Sequence, residues 1–298
     1  MTIFVTGATG FLGGHFLGLR PVRGVRLRCL TRRRENPRLS GVEWVRGDLL
    51  HHGAWERKMR GCAAVVHLAA HPLLDCERDP VQGARVIVEG FSRLLGAARR
   101  AGVRRFVIAS SAEVYGSPVR LPISEKTPLR PLSVYGFLKA CADLHLLRFG
   151  EVSGSSVCIL RFFNLYGCVT DGTVPVTVVR LFAERLLRDE PVILHASRRN
   201  SRDFIHVQDA ARVVWSGVRR SSVRGVFNIG SGRETSLLNL ATKLARLAGR
   251  RLRVDFRPAE GRLRRLVADC RRARELLGFR PKVSLDHGLR EVLREVGR

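Results

Sequence analysis

The chain has 298 residues, 45% of them hydrophobic, and carries 53 basic against 26 acidic residues for a net charge of +27. This composition predicts a globular protein with a substantial core rather than a disordered chain, and no apolar run approaches the roughly 18 residues of a membrane helix. Seven scattered cysteines include no C-x-x-C pair, and a strand beginning at residue 2 leaves no room for a signal peptide. We therefore expect a cytoplasmic protein with reduced thiols, without a metal site and without membrane insertion.

The excess of basic charge is mostly arginine. A field of this sign favours nucleic acid, an anionic surface or a phosphorylated substrate as partner. The arginines are, however, spread from Arg20 to Arg298 and lack the interleaved aromatic residues of a base-stacking platform. We therefore interpret most of them as a compositional bias on solvated faces, which argues against a nucleic-acid partner.

The first predicted strand, residues 2–6, runs into a glycine-rich turn. Gly7, Gly10 and Gly13 are spaced three apart, and an apolar helix opens directly after them and ends near residues 20–21. Strand, turn and helix in this order are typical of a phosphate-binding cradle. In such a cradle the first glycine allows a tight turn, the second a close approach to a pyrophosphate, and the third close packing of the helix. The first gap is one residue longer than in the usual dinucleotide fingerprint, so the motif alone is weak evidence.

Basic residues follow the second predicted strand, residues 25–30. An NAD site normally has Asp or Glu there to hold the ribose hydroxyls, whereas this chain has Thr31 followed by Arg32 and Arg33. Guanidinium groups pair well with a 2′-phosphate, which indicates NADP. In a chain so rich in arginine, coincidence is the alternative, and NAD stays open.

Two further strands are predicted before the first long helix. One covers residues 42–48 and ends at Asp48, which could reach the adenine amino group or cap the next helix. The other covers residues 63–70 and is nearly all apolar, as in a strand buried on both faces. The small side chains of Ala69 and Ala70 at its end would let a ligand lie close.

A long helix over residues 79–101 and a strand over residues 104–109 follow. Helices that alternate with strands buried on both faces predict an α/β fold with a doubly wound parallel sheet, whose ligands bind at the carboxyl ends of the strands. His67, inside an apolar run, fits a hydrogen-bonded core histidine better than a catalytic one.

Residues with acid–base chemistry appear where the last of these strands ends. Ser111 and Glu113 follow it, and Tyr135 and Lys139 stand four apart on one face of a predicted helix. A phenol with a pKa of about 10 is a poor base at neutral pH, but a lysine ammonium and the positive ring of an oxidised nicotinamide stabilise the phenolate. The spacing therefore predicts Tyr135 as a general base assisted by Lys139. Ser111 would donate a hydrogen bond to the substrate oxygen that becomes a carbonyl.

At this point the sequence resembles a known family, the extended short-chain dehydrogenases/reductases, and in particular the NAD(P)-dependent nucleotide-sugar epimerases and dehydratases. The resemblance runs nearly end to end, and its motifs are specific in their order: GATGFLGG at Gly7, GDLL at Gly47, VVHLAA at Val65, SSAEVYG at Ser110, YGFLK at Tyr135, LRFFNLYG at Leu160, RDFIHVQDAA at Arg202, FNIGSG at Phe227 and ELLGFRP at Glu275. It implies a Rossmann fold with Ser111, Tyr135 and Lys139 as the catalytic residues. It also implies that Lys139 holds the nicotinamide ribose.

The residue patterns and the resemblance together give two sets of expected binding residues, in which Arg32 and Arg33 depart from the acidic end of strand two that is typical of epimerases that retain NAD. The set expected to bind the coenzyme, NAD or NADP, is Gly7, Thr9, Gly10, Phe11, Leu12, Gly13, Arg32, Arg33, Asp48, Leu49, Leu68, Ala69, Ala70, Tyr135 and Lys139. The set expected to bind the nucleotide-sugar substrate is Ser111, Glu113, Asn164, Val174, Arg202, Arg264 and Arg265. In the second set, backbone amides near Val174 and the guanidinium groups would hold the diphosphate.

The domain organisation is also implied by the resemblance. Residues 1–169, rejoined by about 204–230, would form the dinucleotide-binding Rossmann domain. Residues 170–203 and 231–298 would form a smaller substrate-binding lid.

A homodimer is a further implication of the resemblance. It would form through the helices near residues 79–101 and 133–149. Helical periodicity by itself cannot distinguish such an interface from a surface that faces the core.

The chain departs from the family at residues that narrow the reaction. In the dehydratase branch Asp and Glu follow the catalytic hydroxyl residue and help to expel water, whereas this chain has Ala112 and Glu113. Loss of the Asp argues against 4,6-dehydration, although Glu113 could still orient or deprotonate a keto intermediate. Ile87 stands where the family often has Asn, which weakens the transfer of that residue's hydrogen-bonding role.

The sequence leaves three functions open. The first is a nucleotide-sugar epimerase, in which reversible hydride transfer to a tightly bound NAD creates a transient keto intermediate without net use of the coenzyme. The second is an NADPH-dependent ketoreductase of a keto-sugar nucleotide or related carbonyl, which Arg32 and Arg33 favour. The third is a non-catalytic member of the fold that binds RNA or another polyanion, although the intact Ser111, Tyr135 and Lys139 argue against it.

Overall fold

A computed structural model of the protein describes residues 1–19, 24–170, 175–195, 200–257 and 265–298. Among these residues the strands are β1 Thr2–Thr6, β2 Arg26–Thr31, β3 Val42–Arg46, β4 Ala64–His67, β5 Arg105–Ser111, β6 Ser156–Phe162, β7 Asn164–Tyr166, β8 Val192–His195, β9 Ser201–Arg202, β10 Phe204–His206, β11 Gly225–Ile229, β12 Thr235–Ser236, β13 Val254–Arg257 and β14 Arg265–Leu266. Strands β1 to β6 and β11 form the main sheet, and the others form small sheets of two or three strands.

Helices lie between most of these strands. In the described ranges they are α1 Phe11–Gly18, α2 Ala54–Arg57, α3 Leu73–Arg78, α4 Pro80–Ala84, α5 Gly90–Arg100, α6 Val134–Ser153, α7 Val178–Leu187, α8 Val207–Arg219, α9 Leu237–Ala248, α10 Arg271–Leu277 and α11 Leu285–Val296. A π-helical segment, Arg85–Glu89, joins α4 to α5, and a 3₁₀ turn, Ala112–Tyr115, follows β5.

The main sheet has the strand order β11-β6-β5-β4-β1-β2-β3, and every neighbouring pair in it is parallel. Both of its faces are buried, because neighbouring residues on β1, Ile3 and Phe4, are fully buried and belong to different core clusters. The strand order reverses between β1 and β4, which creates a crevice at the carboxyl ends of these strands. This architecture confirms the predicted doubly wound α/β fold.

Each face of the sheet is covered by its own helices. On one face Phe16 of α1 stacks on Trp215 of α8 with ring centroids 4.3 Å apart, and the indole Nε1 donates a hydrogen bond to the Phe16 carbonyl (3.0 Å). On the other face Phe91 of α5 and Leu138 of α6 pack in the second cluster. Removal of this apolar surface from water is the main force that holds the helices on the sheet.

A third core cluster lies outside the main sheet. It joins α7, α9 and α11 through the buried side chains of Phe182, Leu244 and Leu289. These helices fall in the segments predicted for the lid, but Tyr166 and Phe204 of the predicted larger domain belong to the same cluster. The division of the chain into two domains therefore stays a prediction.

The stretch predicted as one helix over residues 79–101 has three parts. Asp79 caps α4, because its Oδ1 accepts a hydrogen bond from the amide of Gln82 (2.9 Å). The π-helical segment, which includes the buried Ile87, then separates α4 from α5. An i→i+5 segment changes the phase of an apolar stripe without changing its composition, so the sequence pattern did not reveal it. Strand β5 also runs further than predicted, to Ser111.

Two glycines allow the close approach of β1, α1 and β4. Gly7 has φ = +74°, and a Cβ at this position would overlap the backbone nitrogen of Ala69. A Cβ at Gly13 would overlap the carbonyl oxygen of Gly7. The turn and the helix that follows it therefore require glycine at both positions.

Gly13→Ala tests this packing. The added methyl group has no room beside the Gly7 carbonyl, so the free energy of unfolding should fall by about 1–3 kcal/mol, the usual cost of overpacking. Gly18→Ala is the matched control, because Gly18 is exposed at the end of α1 and an added Cβ there meets no atom within 4 Å. It should leave stability unchanged or raise it. Urea denaturation of both variants measures the difference, and equal stability of the two would contradict the packing described here.

Candidate active site

The carboxyl edge of the main sheet holds a cradle that fits a dinucleotide. Helix α1 starts directly after the β1 turn, and in the described structure no side chain caps the amides of its first turn. Uncapped amides at the positive end of a helix dipole suit a pyrophosphate, and the glycines leave room for it. The residues predicted for the coenzyme that the fold gathers in or beside this turn are Gly7, Thr9, Gly10, Phe11, Leu12, Gly13, Leu68 and Ala69, and the exposed Ala70 follows them on the β4 side.

Four more residues predicted for the coenzyme follow β2 and β3: Arg32, Arg33, Asp48 and Leu49. Arg32 and Asp48 line one cavity there, and Leu49 is buried beside it. The Oδ1 atom of Asp48 accepts a hydrogen bond from the amide of Leu50 (2.9 Å), so this residue also organises the turn after β3. Arg33 is not among the residues that line the cavity. The structure therefore places Arg32 and Asp48 on the lining of one cavity and does not place Arg33 there.

His67, at the end of β4, is a core residue. Its Nδ1 is hydrogen-bonded to the hydroxyl of Thr6 at the end of β1 (2.7 Å). Burial lowers the pKa of the imidazole to about 3, with a smaller contribution from the charge of Lys139. The ring is therefore neutral at physiological pH and joins two strand ends beside the cradle.

Ser111, Tyr135 and Lys139 meet at the carboxyl end of β5. Ser111 is the last residue of β5, and its side chain lies close enough to the phenol of Tyr135 on α6 to lower the pKa of that phenol. Lys139, one turn further along α6, is buried, and its Nζ donates to the carbonyl oxygen of Ala109 (2.6 Å). The i, i+4 spacing puts both α6 side chains on the face that packs against the sheet. A serine hydroxyl, a phenol and an ammonium group thus converge at the sheet edge.

Burial controls the protonation of these groups. It raises the pKa of the Tyr135 phenol above its ordinary value. The nearby Ser111 hydroxyl lowers that pKa, and the negative charge of Glu113 raises it. Burial lowers the pKa of Lys139, and the Asp143 carboxylate opposes this change. The protein alone therefore keeps the phenol protonated at neutral pH, and additional positive charge is needed to make it a base.

A buried polar network lies beneath Lys139. Asp143, one turn further along α6, pairs with the guanidinium of Arg161 on β6 (Oδ2 to Nε, 2.9 Å), and both side chains are almost fully buried. The Nη1 atom of Arg161 donates to Tyr115 Oη (2.8 Å), which donates to Asn228 Oδ1 (2.7 Å). The charges on β6 and α6 thereby compensate each other within the apolar core.

This network was not predicted from the sequence, although two signals were present. Asp143 follows Lys139 at the spacing of one helix face, and Arg161 lies in an apolar strand, where its charge needs a partner. Glu77 of α3 was not predicted either, and its carboxylate accepts a hydrogen bond from the amide of Tyr135 (3.3 Å). No local pattern marks Glu77, because the contact joins segments that are 58 residues apart.

Asp203 supports two of the residues predicted to bind the substrate. Its carbonyl accepts a hydrogen bond from the amide of Asn164 at the start of β7 (3.0 Å). Its fully buried carboxylate accepts hydrogen bonds from the amides of Ser231 (2.6 Å) and Gly232 (2.9 Å). Arg202, which precedes it on β9, is half-buried and donates through Nη1 to the carbonyl before it (2.9 Å). Asp203 therefore fixes the backbone that carries Arg202 and Asn164.

Arg265 lies on β14, which pairs with β9. Its guanidinium makes two hydrogen bonds to Glu234, from Nε to Oε1 (2.6 Å) and from Nη2 to Oε2 (2.7 Å). This contact is the main cause that lowers the pKa of Glu234 to about 2. Arg265 therefore has a carboxylate partner with which a diphosphate would compete. Val174 and Arg264 were also predicted to bind the substrate, and they lie outside the described residues.

Neither a metal site nor a membrane span is found in the described part of the chain. No group of three or more His, Cys, Asp or Glu side chains there is placed to hold a metal ion. None of the helices in the described ranges has both the length and the apolar composition needed to cross a membrane. All seven cysteines are free thiols.

The crevice, the glycine turn and the serine–tyrosine–lysine group together define a nicotinamide-dependent enzyme of the Rossmann type. Consistent with this, residues 3–230 match the model of the NAD dependent epimerase/dehydratase family, and the chain belongs to this family. The match covers more than two thirds of the chain and confirms the resemblance drawn from the motifs.

Individual relatives include both epimerases and dehydratases. The chain is 28% identical over 298 residues to a putative UDP-glucose 4-epimerase of Methanocaldococcus jannaschii, with 98% of this chain and 97% of the relative covered. It is 32% identical over 317 residues to a dTDP-glucose 4,6-dehydratase of an Actinoplanes species, with the same coverage. Among solved structures, it is similar to the UDP-glucose 4-epimerase of Thermotoga maritima with UDP-glucose, with a TM-score of 0.89, 28% identity and coverage of 99% of this chain and 98% of that one.

Removal of one member of the buried ion pair should destabilise the protein more than removal of both. Asp143→Leu leaves the guanidinium of Arg161 buried without a carboxylate, and the free energy of unfolding should fall by about 3–5 kcal/mol. The double variant with Arg161→Met replaces both charges with apolar groups and should recover most of that loss. Denaturant unfolding of the wild type and the two variants tests this. A double variant less stable than the single one would contradict the account.

Proposed function

We propose that the protein is a nucleotide-sugar epimerase that works through a transient keto intermediate. The observation that carries this proposal is the convergence of Ser111, Tyr135 and Lys139 at the carboxyl end of β5. These groups are suited to move a proton on and off a sugar hydroxyl, and the dinucleotide cradle at Gly7 lies along the same edge. When bound there, the nicotinamide supplies a reversible hydride acceptor.

Tyr135 is the general base in this proposal. It accepts the proton of the sugar hydroxyl as the C–H bond on the same carbon breaks, and it returns the proton when the alcohol forms again. Ser111 donates a hydrogen bond to the same oxygen and stabilises the charge that develops on it. Lys139 places positive charge near the phenolate and would hold the nicotinamide ribose. The centre is inverted when the keto sugar turns over before the reverse step.

Similarity to the named relatives supports a UDP-sugar as substrate and carbon 4 as the reacting centre. The placement of Arg202 and Asn164 on the backbone held by Asp203 supports their assignment to the diphosphate and the sugar. The third core cluster supports the predicted lid, which would close over the sugar. Arg265 would bind the diphosphate only if its guanidinium exchanged the carboxylate of Glu234 for phosphate oxygens.

Ala112 favours epimerisation over dehydration. The dehydratase branch has an Asp at this position to help expel the leaving hydroxyl as water, and a methyl group cannot supply a proton. Glu113 is half-buried, and its charge acts on the Tyr135 phenol, so it lies at the site. We assign it to orientation of the substrate.

A ketoreductase that consumes NADPH is the second candidate. The observation that favours it is Arg32, which lines the cavity at the end of β2 where NAD enzymes place an acid. Stoichiometric loss of NADPH absorbance with a keto-sugar nucleotide would establish it. An epimerase leaves the absorbance unchanged at the end of the reaction.

Tyr135→Phe and Ser111→Ala test the proposed chemistry. Loss of the base or of the hydrogen bond to the substrate oxygen should reduce turnover by roughly 10²- to 10⁴-fold, with the phenylalanine variant at least as slow as the alanine variant. Tyr166→Phe is the matched control, because Tyr166 packs in the third core cluster and should keep wild-type turnover. Steady-state rates on UDP-sugars measure the effect, and wild-type turnover of Tyr135→Phe would refute the assignment.

We also propose a homodimer that forms through α6. Phe137 and Leu144 are 58% and 57% exposed, and they lie two turns apart on one face of this helix. Exposed apolar residues in such a row fit an interface that is buried in an assembly.

Light scattering should therefore give twice the mass of the chain. Leu144→Glu places a charge in the interface and should yield a monomer. Val119→Glu is the matched control, because Val119 is fully exposed and is not part of α6, and this variant should stay dimeric. A monomeric wild-type protein would contradict the proposal.

A further inference from the structure

Exposed arginines gather at the amino edge of the main sheet, on the side opposite the candidate active site. The strands of a parallel sheet begin at one edge, and the helices that join them run back and end at the same edge. The exposed arginines at these positions are Arg26 at the start of β2, Arg104 and Arg224 directly before β5 and β11, and Arg99, Arg219 and Arg220 at the ends of α5 and α8. We call these six residues the basic edge.

The basic edge extends over most of the width of the sheet. In the strand order, β11 and β2 are five strand spacings apart, which is roughly 24 Å. Arg224 and Arg26 stand at the two ends of this row, and Arg104 stands between them. The carbonyl of Arg104 accepts a hydrogen bond from the amide of Ser156 (2.7 Å), so its backbone belongs to the sheet. A row of this width suits an extended anionic surface better than a small anion.

The charge of the basic edge is not compensated. In the part of the chain that the structure describes, none of its six guanidinium groups is in an ion pair, whereas Glu56 is paired with Arg100 (2.7 Å) and Glu151 with Arg148 (3.1 Å) on adjoining elements. Glu275 of α10 is an exposed carboxylate on a neighbouring helix. Six positive charges therefore face solvent here against few available negative ones.

Helix ends account for part of this clustering. Basic side chains are stabilised near the negative end of a helix dipole, which explains Arg99 and Arg219. The start of a strand offers no comparable charge, because sheets have only small net dipoles. Arg26, Arg104 and Arg224 therefore need another explanation, and an anionic partner provides one.

Two exposed apolar side chains lie beside arginines of the basic edge. Val152, near the end of α6, is 66% exposed, and Leu276 of α10 is 40% exposed. Arg104 donates through Nη1 to the carbonyl of Ser153, the residue after Val152 (2.5 Å), and Arg220 donates through Nη1 to the carbonyl of Leu276 (3.3 Å). Basic residues with apolar ones among them are the combination that binds the headgroup region of an anionic membrane.

A nucleic acid fits this edge less well. Exposed apolar side chains add nothing to contacts with a phosphate backbone, and bases stack on aromatic side chains. Among the residues that the structure describes, the exposed phenylalanines are Phe137, at the start of α6, and Phe256 of β13, and neither belongs to the basic edge.

We propose that the basic edge binds the surface of a membrane that contains anionic lipids. The guanidinium groups contact the lipid phosphates, and Val152 and Leu276 rest between the headgroups. In this orientation the carboxyl edge of the sheet, with the glycine turn and Ser111, faces away from the membrane and stays open to its ligands.

Sedimentation of the full chain with lipid vesicles tests this proposal. The protein should bind vesicles of equal parts phosphatidylglycerol and phosphatidylcholine but not vesicles of phosphatidylcholine alone, and added salt should weaken the binding. Arg219→Glu combined with Arg224→Glu should lower the partition coefficient at least about 10-fold, because each basic residue near such a surface contributes about fivefold. The melting temperature should not change, since both side chains are exposed.

Two further variants separate the basic edge from the overall charge. Arg290→Glu combined with Arg294→Glu is the matched control, because these exposed arginines lie on α11, and it makes the same change in net charge. This control should keep most of the binding. Val152→Ser leaves the charge unchanged and should weaken vesicle binding about 2- to 10-fold through the loss of apolar contact.

Three results would overturn the proposal. The first is no binding to either kind of vesicle. The second is an equal loss of binding in the two double variants, because the net charge of the chain would then govern binding. The third is tighter binding to a DNA duplex than to the anionic vesicles without an effect of Val152→Ser, which would assign the surface to nucleic acid. None of these measurements uses a substrate, so their outcome is independent of the proposed function.

Discussion

The ion pair between Arg161 of β6 and Asp143 of α6 is the contact on which the active site depends most. A charge left unpaired in this core would cost several kcal/mol, so the pair restricts the rotation of α6 and its position above the sheet. Lys139 and Tyr135 stand one and two turns before Asp143 on the same helix. The restriction therefore directs both side chains to the end of β5, where Ser111 meets the phenol. A contact buried in the core thus determines the geometry of groups at the sheet edge.

Arginine has three different roles in this protein, and they explain part of its high content. Arg105 is buried and donates to backbone carbonyls that join β5 to the region after α8. Arg180 of α7 pairs with Glu295 of α11 (3.0 Å), a partly exposed contact of the kind that contributes about 0.2–1 kcal/mol. Arg32 and Arg46 belong to neither group, since they surround a cavity without a carboxylate partner in the described ranges.

The features that the sequence predicted are those with a local pattern. The glycine turn, the strand–helix alternation and the Tyr135–Lys139 spacing each lie within one or two adjacent elements, so residue order was sufficient to place them. The ion pair of Asp143 with Arg161 joins a helix to a strand. Each of the two residues stands out in the sequence, but only the folded structure shows that they are in contact. The hydrogen bonds that Asp203 accepts come from segments far along the chain, and no spacing rule predicts them.

The choice between neighbouring arginines shows the same limit of local patterns. Residue order made Arg32 and Arg33 equivalent, because both follow the second strand. Only the register of β2 against β3 shows that Arg46, fourteen positions further along the chain than Arg32, lines the same cavity. Similarly, the pairing of Arg265 with Glu234 depends on the small sheet formed by β9, β12 and β14. Long-range pairing of strands therefore decided which predicted residues are available to a ligand.

In an epimerase of this kind, hydride leaves one carbon of a nucleotide sugar and returns to the same carbon. The most direct measurement is NMR of a set of UDP-sugars deuterated at carbon 4, incubated with the purified enzyme. We expect a product that is inverted at carbon 4 and still carries deuterium there, with no net change in coenzyme absorbance. A product that has lost its 6-hydroxyl group, or transfer of the deuterium to coenzyme that accumulates in solution, would contradict it.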